Sequence, residues 1–153
     1  LMHILLYQPE IPPNTGSIAR LCAATDTPLH LVEPLGFSLE DKHLKRAGLD
    51  YWHSVDVTVW PGWEACAASL GKERRFVLTS ARARTPYHDF AYQPGDVLVF
   101  GPETRGLPRD FVARYDHWVR IPIWGRVRSL NLANAATLLL YEAFRQTGRL
   151  DGM

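Results

Sequence analysis

In "VLVFGPETRGLPRDFVARY", residues 97–115, a strand, a loop and a helix follow one another within nineteen residues. Val97–Phe100 is a short, wholly apolar run, the pattern of a strand buried on both faces. Gly101, Pro102, Gly106 and Pro108 then break the run, and Arg109–Tyr115 resumes with apolar residues at helical spacing. The same order of strand, loop and helix recurs along the chain. Strands are expected at His3–Tyr7, Leu29–Val32, Val55–Trp60, Phe76–Thr79, Val97–Phe100 and Trp118–Ile121. Helices are expected at Gly16–Thr25, Leu39–Arg46, Trp63–Leu70, Arg109–Tyr115 and Leu132–Gln146. Alternation of this kind predicts an α/β fold, a mostly parallel sheet with helices on both faces. No repeat, low-complexity tract or linker divides the sequence, so residues 1–153 are expected as one domain.

Ligands of such sheets bind beyond the carboxyl ends of the strands, so the loops that follow strands carry the search. They are "QPEIPPNTGS" (8–17), "SARARTPYHD" (80–89), "GPETRGLP" (101–108) and "PIWGRVRSLN" (122–131). The last three are rich in Gly, Pro and Arg, and one cleft is expected to be lined by all of them. In the first loop Asn14 or Thr15 is placed to cap a helix whose free N–H groups attract phosphate, and Arg20 can reach the same anion or a ribose hydroxyl. In the third, Gly101 ends a strand where backbone can approach a ligand, and Glu103 can accept from a hydroxyl or amine. A tight turn needing glycine accounts for Gly101 equally well. The patterns GxxxxGK[ST], GxGxxG and GxSxG are absent, which argues against a phosphate loop, a dinucleotide fingerprint and a hydrolase elbow.

The chain has 17 Lys+Arg against 16 Asp+Glu, so bulk charge decides nothing. The cations are Arg except at Lys42, Lys45 and Lys72, and guanidinium groups fit phosphate bidentately. Cys22 and Cys66 fall in apolar helical patterns and read as buried free thiols; no Cys/His cluster points to a metal. The amino-terminal apolar run is too short for a signal or membrane segment, and a cytoplasmic protein with no membrane association is expected. In "VRSLNLANAATLLLYEA" (127–143), Ser129 or Asn131 can cap a helix that is apolar nearly all round. Such a helix is buried on two faces, and a homodimer interface is expected there.

Taken together, "NTGSIAR", "FGPETRGLP" and "IPIWGRVRSLNLANA" resemble, in order and spacing, the three motifs of the SPOUT superfamily of RNA methyltransferases. "LYQPEIPPNTGSIARLCAAT", "HLVEPLGF", "DKHLKRAGLDYW" and "YEAFRQTG" are similar to its short branch acting on the ribose 2′-hydroxyl of the wobble cytidine or uridine of tRNA. The resemblance covers essentially the whole chain. It implies a C-terminal trefoil knot and S-adenosylmethionine as cofactor, without metal. By position it implies cofactor contacts from Leu78, Thr79, Gly101, Ile121, Ile123, Ser129 and Leu130. It implies a catalytic cluster of Arg20, Glu103, Ser129 and Asn131, with Asn14 in support. Ala133 stands where relatives often have Ser, and "WGRVR" departs from their pattern. A different tRNA or ribosomal RNA site, or a non-catalytic RNA-binding module, remains the alternative.

Methyl transfer from a sulfonium needs alignment and a more nucleophilic hydroxyl. Deprotonating a guanidinium at pH 7 costs about 7 to 9 kcal/mol from its ordinary pKa, so Arg20 is expected as an electrostatic partner rather than a base. The anticodon stem-loop is expected to meet Asn14, Arg20, Lys42, Arg46 and Tyr141. Tyr51 and Trp52 are expected as stacking rings beside the cationic stretch.

Overall fold

The computed structural model describes residues 1–153, the side chains of residues 48–50 excepted; that part of "DKHLKRAGLDYW" lies outside the described residues. In chain order the elements are β1 (His3–Tyr7), α1 (Pro12–Thr25), β2 (Leu29–Val32), α2 (Lys42–Trp52), β3 (Val57–Trp60) and α3 (Trp63–Leu70). There follow β4 (Phe76–Thr79), β5 (Val97–Phe100), α4 (Arg109–Val112), β6 (Trp118–Val119) and α5 (Leu132–Gln146), with a 3₁₀ turn at Tyr87–Asp89 before β5.

The strands form one sheet in the order β3-β2-β1-β5-β4-β6, and every pairing is parallel. Side chains alternate across a strand, so a wholly apolar strand feeds two cores. Ile4, Leu6, Leu98 and Phe100 pack on one face with Ile18 and Cys22 of α1 and Leu139, Leu140 and Phe144 of α5. Leu5, Val97 and Val99 pack on the other face with Trp63 and Cys66 of α3 and Phe111 and Val112 of α4. The two thiols are free and buried, and burial pushes both up to about 12.

Several boundaries move from their expected places, those of α1 and α2 for a local reason. α1 begins at Pro12, because adjacent prolines at its first positions pre-set helical φ and give up N–H groups that a helix start leaves unpaired. Its N-cap is therefore Ile11, with no side-chain cap, and Asn14 and Thr15 lie inside the helix. α2 runs later than expected because Asp41 caps it, accepting from His43 N at 2.7 Å. β3 begins at Val57, α4 stops at Val112 and β6 stops at Val119.

Gly16 sits within α1, where a Cβ would collide with Ala47 Cβ and approach Leu44 O at 2.9 Å. The glycine brings α1 and α2 into contact.

The sheet doubles back between β1 and β5, so the loops leaving these two strands emerge side by side. β6 lies at the sheet edge, yet α5 packs on α1 and β5 in its middle. Residues 120–131 therefore return across the carboxyl ends of the neighbouring strands. α5 is less uniformly buried than its composition predicts: Asn134, Thr137, Tyr141 and Arg145 form an exposed strip along it.

Candidate active site

The loop after β1 and the loop after β5 are fastened by two carboxylates. Glu103 accepts from the backbone N–H of Glu10 (2.8 Å) and Ile11 (2.9 Å) and from Asn14 Nδ2 (3.2 Å). Glu10 in return accepts from Thr104 N (2.9 Å) and Thr104 Oγ1 (2.8 Å). These bonds hold the Glu10 carboxyl below the usual carboxylate range. Ile11, which offers α1 no side-chain cap, thus has its N–H satisfied from another loop.

The third loop joins through Asn131, the N-cap of α5. Its Oδ1 accepts from Ala133 N (2.9 Å) and Asn134 N (3.3 Å). That fixes the amide, leaving Nδ2 to donate to Asn14 Oδ1 at 2.9 Å. Asn14 must then donate through Nδ2, and Glu103 is the carboxylate that receives it. One helix cap sets the orientation of two amides and ends on an acceptor, joining residues 117 positions apart.

Of the residues expected to cluster, the fold therefore brings together Asn14, Glu103 and Asn131. Their polar atoms are engaged with one another, and Glu103 holds the loops together. Ser129 is exposed beside Asn131 with no protein partner for its hydroxyl among the described hydrogen bonds, and the cap of α5 is Asn131 rather than Ser129. Arg20 stands apart. It lies about 9 Å further along α1 than Asn14 and about 240° around it, with its guanidinium 5.1 Å from the centroid of the Tyr51 ring.

The expected cofactor residues gather at the ends of β4, β5 and β6. Leu78 is buried, Thr79 Oγ1 donates to Val99 O at 2.9 Å, and Ile121 and Ile123 are half-buried. Leu130 is exposed. At Gly101 a Cβ would strike the backbone of Gly106 and Leu107, so its bareness makes room for its own loop, the tight-turn alternative. The cavities of 330 and 380 Å³ lie at the opposite end of the sheet, bounded by residues such as Met2 and Thr27, or Arg75 and His117. With Ile121 and Ile123 half-buried and residues 124–131 exposed beyond them, the site is a groove open to solvent.

Lys42 and Arg46 are exposed one turn apart on α2, whereas Lys45 is drawn to Glu40 at 2.8 Å. The two expected stacking rings are not free: Trp52 packs against the core and Tyr51 lies under Arg20. Both fall inside α2, where the apolar face is taken by α1. No sequence pattern marks Glu10 and Thr104 as partners beyond a second carboxylate in a loop already holding "PPN". Among the described residues no group of His, Cys, Asp or Glu is placed to hold a metal, and no helix is long and apolar enough to cross a membrane.

Residues 1–141 match the SpoU rRNA Methylase family. The chain belongs to that family. A tRNA (cytidine(34)-2′-O)-methyltransferase of Methylovorus glucosotrophus (strain SIP3-4) is 57% identical over 148 residues, 95% of this chain and 96% of its own. A solved structure described as giving insights into the 2-OH methylation of C/U34 on tRNA superposes with a TM-score of 0.90 at 48% identity, covering 95% of each chain. The SpoU methyltransferase AviRb of Streptomyces viridochromogenes, solved with AdoMet, superposes with a TM-score of 0.86 at 29% identity, over all of this chain and 59% of its own. The SpoU fold is thus shared well beyond the short relatives.

Proposed function

We propose that this SpoU-family chain is a tRNA 2′-O-methyltransferase that moves a methyl group from S-adenosylmethionine to the ribose of the wobble pyrimidine at position 34, as the names of its relatives say of them. The observation that carries the reading is the Glu103–Asn14–Asn131 network, which holds an unpartnered Ser129 hydroxyl at the mouth of the groove.

The groove fits that cofactor. Half-buried Ile121 and Ile123 and exposed Leu130 offer an uncovered apolar wall for an adenine ring, beside Leu78, Thr79 and Gly101 at the adjoining strand ends. S-adenosylmethionine supplies a methyl group already activated by the sulfonium charge. The chain's part is then alignment and electrostatics. Ser129 Oγ orients the ribose 2′-hydroxyl, Asn14, Glu103 and Asn131 keep its loop in register, and Arg20 stabilises negative charge on the reacting oxygen or an adjoining phosphate. Asn14, Lys42, Arg46 and Tyr141 would meet the anticodon stem-loop.

We infer the rest of the arrangement from the same geometry. Residues 1–153 act as one domain. Arg120 N donates to Thr85 O at 2.9 Å and Tyr87 N to Arg120 O at 2.7 Å, so the β4–β5 connection covers the outer side of the segment leaving β6. β4 itself pairs with β6 on the inner side, an arrangement that supports a C-terminal knot. Exposed Tyr141 beside half-buried Leu138 on α5 supports a homodimer seam. The work is cytoplasmic, where tRNA is modified.

The test is transfer of labelled methyl from S-adenosylmethionine to unmodified total tRNA, with the labelled nucleotide identified. A 2′-O-methyl pyrimidine at position 34 is expected, with Arg20→Ala losing nearly all activity and Arg20→Lys keeping part. Label at another tRNA or ribosomal RNA position would replace the substrate. Equal, total loss in both Arg20 variants would refute the electrostatic role.

A further inference from the structure

The loop between β6 and α5 carries Trp124, which is 91% exposed, more than any other large apolar side chain of the described residues. An indole so placed forgoes a large area of burial, and it does so between Ile123, beside the cofactor groove, and the exposed guanidinium groups of Arg126 and Arg128.

The surrounding charge is asymmetric. Towards the amino-terminal ends of the strands, Arg75 pairs with Asp96 at 2.8 Å and Arg114 with Glu64 at 3.7 Å, and Arg74 donates to the backbone carbonyls of Leu1 and Gly95. At the carboxyl ends, Arg82, Arg84, Arg105, Arg126 and Arg128 are all exposed, and among the described residues none has a carboxylate within ion-pair distance. Two carboxylates at that end, Glu10 and Glu103, are spent on the loop clamp, and Asp89 faces His88 at 3.9 Å. The loops bearing these arginines leave three neighbouring strands, β5, β4 and β6, which together span about 10 Å. Although the formal net charge is only +1, the end of the sheet that carries the exposed indole presents five exposed guanidinium groups.

Guanidinium groups around a solvent-facing ring are what an unpaired nucleic-acid strand binds: phosphates on the cations, a base on the ring. We propose that Trp124 is a stacking platform for an unpaired base flanking the methylated nucleotide, with Arg126 and Arg128 holding the phosphates on either side of it. The loop 122–131 then both reads the RNA and, through Ser129, presents its ribose to the reaction. This assignment rests on the proposed function, and it makes the "WGRVR" segment the source of this chain's own RNA preference.

The test is binding of a fluorescent anticodon stem-loop RNA across a salt series, for the wild-type chain, Trp124→Ala, Trp124→Phe and Arg126→Gln. S-adenosylmethionine affinity, light scattering and steady-state methylation are measured on each. Trp124→Ala is expected to weaken RNA binding about 5- to 100-fold, and Trp124→Phe to restore most of it. KM for RNA should rise while kcat and cofactor affinity hold. Arg126→Gln should lower the slope of log affinity against log salt by about 1. Unchanged RNA affinity in Trp124→Ala, with a wild type that binds and methylates, overturns this inference and leaves the proposed function standing. Loss of RNA binding that follows a smaller assembly in light scattering overturns it in favour of a protein interface. A wild type that binds no RNA at all removes the functional reading and this one with it.

Discussion

Glu103 carries more of the site than any other residue, because both its oxygens are committed to donors on another loop. In Glu103→Gln one of those oxygens becomes a donor facing a donor. The expected loss is about 1 to 3 kcal/mol of stability, together with a fall in kcat, read by denaturant unfolding and by methyl transfer; an unaltered chain would mean that the clamp is ornamental. Thr15 is the opposite case. Its Oγ1 is buried with no hydrogen-bond partner, so the near-isosteric Thr15→Val removes a desolvated hydroxyl. Equal or higher stability is expected, by up to about 1 kcal/mol, and a clear drop in melting temperature would reveal a partner for that hydroxyl. Asn14, Glu103 and Asn131 were legible in the sequence as site residues, but not their division of labour. Which atom donates to which depends on a helix cap 117 residues away from its partner, and no local pattern encodes that.

Among elements, α1 shows best what local chemistry can and cannot say. The expected start at Gly16 followed the rule that a polar cap precedes a helix, and the two prolines overrode it. Gly16 instead serves the crossing with α2, since a side chain there would meet Ala47 and the Leu44 carbonyl. Gly16→Ala should therefore destabilise by about 1 to 3 kcal/mol through overpacking, although alanine is the better helix former by about 1 kcal/mol. Thermal unfolding decides between the two effects; a raised melting temperature would show that the helices separate without cost. The same crossing explains why Tyr51 and Trp52 are not free to stack on RNA: α2 turns them towards α1 and the core.

For the molecule as a whole, acid stability is set by a buried relay that lies across three strands. Trp60 Nε1 donates to His30 Nδ1 at 3.0 Å, so His30 presents Nε2–H to His3 Nδ1 at 2.8 Å. Burial, with the Arg74 guanidinium adding to it, lowers both histidines from 6.5 to about 4; Asp56 opposes the shift at His30. The unfolded chain therefore takes up protons below pH 6.5 that the folded chain refuses until about pH 4. The stabilisation is complete above pH 6.5 and is lost as the pH falls from 6.5 towards 4, by up to about 3 kcal/mol per histidine before the two are coupled. Denaturant unfolding at pH 7.5, 5.5 and 4.5 measures it. Equal stability at the first two values would contradict the relay.

The class of fold follows from the residues alone. Wholly apolar runs such as Val97–Phe100 can only be buried on both faces, and the alternation with helical stretches leaves a parallel sheet with two cores as the economical solution. The residues also decide which loops carry the site, because parallel strands all end on one side. The tertiary structure decided the strand order, and with it the meeting of the loops after β1 and β5 at the point where the sheet doubles back. It decided that Glu103 fastens loops, that Gly101 yields to its own loop and that Trp124 alone among the tryptophans stands in solvent. Those outcomes depend on contacts between residues far apart in sequence. Local propensity and spacing are blind to such contacts until the sheet has fixed which strand ends are neighbours.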